Sequence, residues 1–292
     1  MDTNRLNHNG RLFEFLHFVK KNMLMSIGLV AVAFVIFMLI FGPMFCHHDP
    51  EELNYSTKLM APCGDFILGT DSSGRCILCR IIYGARTSVG VALAVVGISS
   101  VIGIIVGIIA GYAGGAVDNV LMRIVEVMLS FPSLIFTLAV LGTIGSGTFN
   151  QIIAMSIVRW AGFARFARTE TKNIMSSDYM EAAKAMGNSR FRVILRYIFP
   201  NIISNLLVIA TLEIGPVLLA GAALSYLGLG AQIPSPEWGL MVNSGKEFIR
   251  QAPWITIFPG LATVLTALSF NLLGEGIGDM IDPHLREKAV AD

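Results

Sequence analysis

Long apolar stretches alternate with short polar ones along nearly the whole sequence. Runs with little or no charge cover residues 23–45, 87–112, 134–142 extended back toward 120, 149–158 with flanks, 202–224 and 255–273. A helix needs roughly 17 to 25 apolar residues to cross the hydrocarbon core of a bilayer. The pattern predicts six membrane-spanning helices, with the uncharged core of the fourth limited by Arg159. The fold class is therefore all-α, a polytopic membrane protein. Composition agrees: 54% of the 292 residues are hydrophobic and 14% charged, and the mean hydropathy is +0.68, too apolar for one or two soluble domains.

The loops carry an uneven distribution of Lys and Arg. Residues 1–21 hold Arg5, Arg11, Lys20 and Lys21, and residues 164–200 hold Arg165, Arg168, Lys172, Lys184, Arg190, Arg192 and Arg196. Residues 46–80 have Asp49, Glu51, Glu52, Asp65 and Asp71 against Lys58, Arg75 and Arg80. Positive loops face the cytosol, so 46–80 is expected outside and both termini inside, in a multi-pass plasma (cytoplasmic) membrane protein. The first run is too long for a signal-peptide core, and no small-x-small site follows Gly42-Pro43-Met44-Phe45, so it is expected to remain as an anchor. The net charge of +1 hides this asymmetry and gives no footprint for nucleic acid. No internal repeat and no nucleotide-binding motif is found. Any ATP chemistry belongs to another chain.

The basic segment 164–200 is the most informative. Asp178 can accept from backbone N–H groups at a helix start while Glu181, three residues on, reaches back, which predicts a helix from Tyr179. Good helix formers follow to Met186, and Gly187 can take the left-handed conformation that ends a helix. Such a helix is about 12 Å long. A second helix is predicted from Arg190, because Phe191, Ile194, Leu195 and Ile198 recur at i, i+3, i+4 and i+7. Pro200 then resets the chain before the next span.

Glu181-Ala182-Ala183, Gly187 and Pro200 resemble the Glu-Ala-Ala loop of the membrane subunits of ATP-binding cassette (ABC) importers. Tyr197 stands where that family has Ile, and Phe199 where it has Leu. The resemblance extends over roughly residues 20–286. Leu68-Gly69-Thr70-Asp71, Gly74-Arg75, Arg80 and Tyr83-Gly84-Ala85-Arg86-Thr87-Ser88 are similar to the segment joining the first two helices in the peptide and nickel branch, of the dipeptide permease C type. Val117-Asp118, Leu121-Met122-Arg123, Ser130-Phe131-Pro132-Ser133, Pro236-Glu237-Trp238-Gly239, Phe258-Pro259-Gly260, Phe270-Asn271-Leu272-Leu273-Gly274 and Asp282-Pro283 continue it. Cys76 and Cys79 depart from it, standing where the family usually has Asp and Ser.

The resemblance implies a type I-like ABC importer permease fold over 22–286. A cytosolic segment (1–21) precedes it, a cytosolic tail (287–292) follows, and the ATPase-coupling loop lies at about 164–200. It implies a permease rather than an enzyme, moving short peptides by alternating access, with nickel or metal-chelate import as the alternative. Its expected partners are a paralogous permease subunit, two cytosolic ATPase subunits that bind the ATP and Mg²⁺, an external solute-binding protein and membrane lipid. The chain itself is expected to hold no cofactor.

Three places invite chemistry. Glu213 falls mid-membrane in the fifth span, where a carboxyl normally faces a bundle interior or aqueous cavity. It reads either as lining a translocation pathway or as a hydrogen-bonding group to a neighbouring helix, with Pro216 freeing a carbonyl nearby. Arg123 and Glu126, spaced i, i+3, read as a structural pair. Cys46, Cys63, Cys76 and Cys79 all lie in the external segment beside His47 and His48. They read as disulfides, as a metal site built on Cys76-x-x-Cys79 with His47 or His48, or as apolar fillers. An intramembrane enzyme is disfavoured because His8, His17, His47, His48 and His284 lie outside the spans, and a channel because nothing resembles a filter.

Overall fold

The computed structural model describes residues 22–281. The expected cytosolic segment 1–21, Asp282-Pro283 and the tail 287–292 lie outside the described residues. Among the described residues the regular elements are helical, apart from an isolated bridge between Thr70 and Cys76. Helix α1 (Met23–Phe41) ends in a 3-10 turn, Gly42–Phe45. Helix α2 (Ile77–Ala113) has 37 residues, about 55 Å at the rise of an α-helix. Helices α3 (Gly115–Ser130) and α4 (Ser133–Ile144) follow, then α5 (Thr148–Met175) and the short α6 (Asp178–Ala185). Helix α7 runs from Arg190–Val193 through a π-helical stretch, Ile194–Ile198, into Phe199–Tyr226. Helices α8 (Trp238–Gly245) and α9 (Trp254–Ile281) complete the described chain.

The length of α2 separates two ends of the molecule, and polar contacts assign the other helices to them. Near the N-terminal end of α2, Arg86 donates to the Leu39 carbonyl at 2.8 Å and Trp254 Nε1 to the Thr70 carbonyl at 3.1 Å, placing the end of α1 and the start of α9 there. Arg80 donates to the Pro234 carbonyl at 3.4 Å, adding the chain beyond α7, and the Leu229 carbonyl accepts from Gly147 N while Asn150 donates to the Ile144 carbonyl, which brings the end of α4 and the start of α5 with it. At the opposite end, Asp118 of α3 meets Arg168 and Lys172 of α5. Asn22, the cap of α1, meets Asp279 of α9 at 3.0 Å. Among the described residues the chain thus passes between the two ends along α1, α2, α3 with α4, α5, α7 and α9.

Two spans differ from the expectation. Residues 120–142 do not form one helix, because α3 and α4 meet at 92°. Pro132 lacks an N–H, and its ring disfavours the helical conformation of the preceding residue. Phe131 is accordingly extended, with φ −95° and ψ 141°. The fourth span is the 28-residue α5, which continues well past 158. Among the described residues, four helices are long and apolar enough to cross a membrane, five if the bent pair counts as one, and α5 is not among them. Residues 164–175 also belong to α5, so the connection expected to begin at 164 begins at Ser176.

Packing of α2 against α5 rests on a ladder of small residues. Gly103, Gly107 and Gly111 recur every fourth position. A Cβ at Gly107 would lie 2.5 Å from the Ala164 carbonyl oxygen, and one at Gly103 would lie 2.4 Å from Phe163 Cβ. Backbone-to-backbone approach of this kind replaces the hydrophobic drive that lipid cannot supply.

Candidate coupling helix and membrane cavity

Helix α6 is set off from α5 by Ser176 and Ser177. It begins at Asp178, one residue before the predicted start, with the Ser177 carbonyl accepting from Met180 N at 3.0 Å. Its inward residues Met180 and Ala183 are buried, while Glu181 is exposed in the first turn, where a carboxylate favours the helix dipole. Gly187 has φ +73° and nothing within 4 Å of where a Cβ would sit. Its need for glycine is therefore conformational. Asn188 closes the helix by donating to the Ala183 carbonyl at 2.8 Å.

Beyond this stop the structure corrects two expectations. Pro200 does not reset the chain; α7 runs through it, and the π-helical stretch just before it shifts the ladder so that Phe199 N bonds to the Ile194 carbonyl. A π turn widens the spacing of backbone bonds where the proline cannot donate. Asn201 then donates to the Tyr197 carbonyl at 2.6 Å. The predicted apolar face is also rotated: Val193 and Ile198 are buried, whereas Phe191 is 72% exposed. Together with Met186 and Tyr179, also exposed, it leaves apolar surface around α6.

Charged side chains that the sequence pattern did not bring together tie this end of the molecule. Asp118 accepts two bonds from Arg168, at 2.9 and 2.7 Å, and one from Lys172 at 2.6 Å. Glu170 accepts from Asn205 of α7 at 3.1 Å. The bidentate arginine is the strong geometry for a carboxylate. Arg123 and Glu126 approach to 3.5 Å, both exposed, and an exposed pair contributes little.

Midway along the molecule, Glu213 of α7 meets Arg159 of α5 at 2.8 Å. Both line a cavity of about 420 Å³ with Met128, Phe131, Ser133 and Phe163, at the break between α3 and α4. Glu213 thus has a hydrogen-bonding partner on a neighbouring helix and a place on a cavity wall.

At the other end, Asp71 is buried among arginines. It accepts from Arg75 Nε at 2.7 Å and from the backbone N–H groups of Ser73 and Arg75, with Arg80 at 3.7 Å. Arg80 donates to the Pro50 carbonyl at 2.7 Å. Glu237 caps α8, accepting from Gly239 N, Leu240 N and Ser88 Oγ; burial pushes its carboxyl above the ordinary range. The four cysteines are free thiols. Cys76 and Cys79 are buried at the start of α2, and their ligand atoms and one from His48 all lie within 4.8 Å of one another. Cys46 lines the hollow beside His48. His47 lines the neighbouring hollow without joining the group, and Cys63 is exposed.

Residues 103–287 match the family described as binding-protein-dependent transport system inner membrane component. The chain belongs to this family. Residues 13–62 match the N-terminal transmembrane domain of oligopeptide transport permease C. The permease is 38% identical over 268 residues to the dipeptide transport system permease protein of Alkalihalophilus pseudofirmus, covering 92% of this chain and 88% of the relative. It is 39% identical over 254 residues to the probable D,D-dipeptide transport system permease protein of Escherichia coli, covering 87% and 85%. The nickel transport system permease protein of Escherichia coli is 32% identical over 268 residues, covering 92% and 97%. As a permease, the chain is a transporter membrane subunit and not a catalytic one.

Proposed function

We propose that this permease carries short peptides across the membrane by alternating access, coupled through α6 to ATP hydrolysed in partner subunits. The observation that carries the reading is the form of α6: an eight-residue helix ended by a left-handed Gly187, with Glu181 and the side chains of Tyr179, Met186 and Phe191 facing outward. Such a projecting helix suits a groove on a cytosolic ATPase. Two of these ATPases bind ATP and Mg²⁺, a paralogous permease subunit forms the second half of the pathway, and an external solute-binding protein delivers cargo. Both termini lie in the cytosol. A push on α6 reaches α5 directly and α7 through Asn205 and Glu170, so both helices beside the cavity move together, as in rigid-body switching between two states.

Peptide cargo is favoured over nickel because relatives named for dipeptides are 38 and 39% identical and the relative named for nickel 32%. Selectivity resides mainly in the binding protein. The test is assembly and transport with Glu181→Lys, which reverses charge on the docking face, and Gly187→Val, which opposes the left-handed stop by roughly 1 kcal/mol or more. Both variants are expected to insert normally, to recover less ATPase in pull-downs and to lose most uptake. Normal assembly and uptake in both would remove the coupling role of this helix. Reconstituted complex supplied with dipeptides and, separately, with Ni²⁺ decides the cargo, and uptake of nickel alone would replace the peptide reading.

A further inference from the structure

Close packing of the helices does not account for a cluster of sulfur and imidazole at the start of α2. Cys76 and Cys79 are 4% and 2% exposed. One potential ligand atom from each, together with one from His48, falls within a single 4.8 Å sphere of mutual distances. A fourth candidate is at hand, since Cys46 lines the same hollow as His48. These four residues come from two stretches of chain separated by the whole loop 49–75, one leaving α1 and one entering α2.

We propose that Cys46, His48, Cys76 and Cys79 form a tetrahedral site for a borderline-soft divalent ion, Zn²⁺ being the metal whose ligand preference matches three sulfurs and one imidazole. Zinc bonds of about 2.3 Å to sulfur and about 2.0 to 2.1 Å to nitrogen set neighbouring ligand atoms roughly 3.5 to 4 Å apart. The ligand atoms of His48, Cys76 and Cys79, within 4.8 Å of one another, need only a small contraction to reach that, and Cys46 would close on them from the side of the hollow. Geometry and ligand softness together point away from magnesium or calcium, which take oxygen.

Two further features fit a metal better than disulfides or apolar fillers. The His48 ring is stacked on Phe66 at a centroid distance of 4.8 Å, which fixes its plane while leaving the residue exposed at the rim. A hollow of about 620 Å³, lined by Cys46, His48, Asp49, Glu51 and Arg86, opens directly beside the cluster; two carboxylates against one guanidinium, itself bonded to the Leu39 and Ile40 carbonyls, give a cation a way in. The ion would staple the exit of α1 to the start of α2, closing the loop that holds Asp71 and its arginines. This inference is independent of the transport reading and of the cargo.

The test uses the full-length chain, purified in detergent on a tag without histidine, reduced, stripped and reloaded with Zn²⁺, with metal measured by mass spectrometry. Wild type and Cys63→Ser, which alters the exposed cysteine outside the group, are expected to retain about one zinc per chain. Cys76→Ser with Cys79→Ser is expected to retain essentially none. His48→Ala changes an exposed residue and should leave folding intact while weakening zinc affinity about 100-fold or more, beyond the loss typical of an outer-shell partner. Loading with Co²⁺ instead should give thiolate charge-transfer absorption in wild type and none in the double variant. Equal zinc uptake by the reduced wild type and the double variant would overturn the site. Unchanged affinity in His48→Ala would overturn the four-ligand set.

Discussion

Arg159 and Glu213 show how two residues that look unfavourable separately can be favourable together. Arg159 interrupts the apolar core of the fourth predicted span, and Glu213 is the only charged residue of 199–226. Either charge alone inside a membrane bundle costs several kcal/mol. Their 2.8 Å contact on the cavity wall offsets part of that cost and leaves a neutral, polar patch facing the hollow. Removing one partner leaves the other charge uncompensated, which is worse than removing both. The side chains are 20% and 36% exposed, so water screens the pair and the coupling stays modest. Arg159→Gln and Glu213→Gln are each expected to lower the thermal stability of the purified permease, and the double variant to recover part of the loss. The coupling energy should be about 1 kcal/mol. Strictly additive losses across the cycle would mean that the two groups act independently and that Glu213 serves the pathway alone. Transport by Glu213→Gln should be slowed whichever cargo is carried, because the unpaired Arg159 then adds a positive charge to the wall.

At the scale of elements, local rules were readable wherever one residue decides the outcome. Gly187 stops α6 because few other residues tolerate φ +73°, and that was evident from its position after a run of helix formers. Pro132 breaks the third span by an equally local rule, yet the apolar run on either side conceals it, since hydropathy does not register a backbone N–H. The π turn before Pro200 is a compromise between a missing donor and a continuous helix, and periodicity alone cannot anticipate the resulting rotation of Phe191 out and Val193 in. Partners distant in sequence left no local signal. Asp118 meets Arg168 and Lys172 across about fifty residues of chain, and the cysteine and histidine group was visible as composition but not as geometry. The glycine ladder on α2 was open to reading from its four-residue spacing, the small-xxx-small pattern of close helix packing. Gly107→Ala should overpack the α2 and α5 contact and cost about 1 to 3 kcal/mol. Gly97→Ala, on the same helix with open space around its Cβ, should be neutral or stabilising by up to about 1 kcal/mol. Thermal melting of the two variants checks the contrast, and equal melting temperatures would show that α2 and α5 do not depend on close approach.

For the whole molecule, the separation of charge between the two ends becomes sharper once pairing is counted. At the end holding the cysteines, Asp71 is surrounded by Arg75 and Arg80, so two of the three positive charges of residues 46–80 are bound internally. Asp49, Glu51, Glu52 and Asp65 then stand against Lys58. At the end holding α6, Asp118 engages Arg168 and Lys172, while Arg165, Arg190, Arg192 and Arg196 make no ion pair among the described residues, against the acids Glu170, Asp178 and Glu181. A membrane protein retains a surplus of Lys and Arg in the cytosol. The proposed orientation, with α6 inside and Cys63 outside, rests on this rule and is open to direct test. Cys63 is exposed and Cys76 and Cys79 are buried, so the native chain already carries a reporter. In intact cells a membrane-impermeant maleimide is expected to label the wild-type permease, and Cys63→Ser should remove most of that label. In the Cys63→Ser background, Ser176→Cys, at an exposed position just before α6, should label only after permeabilisation. Labelling at both positions from outside would put the two ends of α2 on one side of the membrane. A 37-residue helix about 55 Å long could not then cross it, and both the alternating passages and the proposed cytosolic place of α6 would fall together.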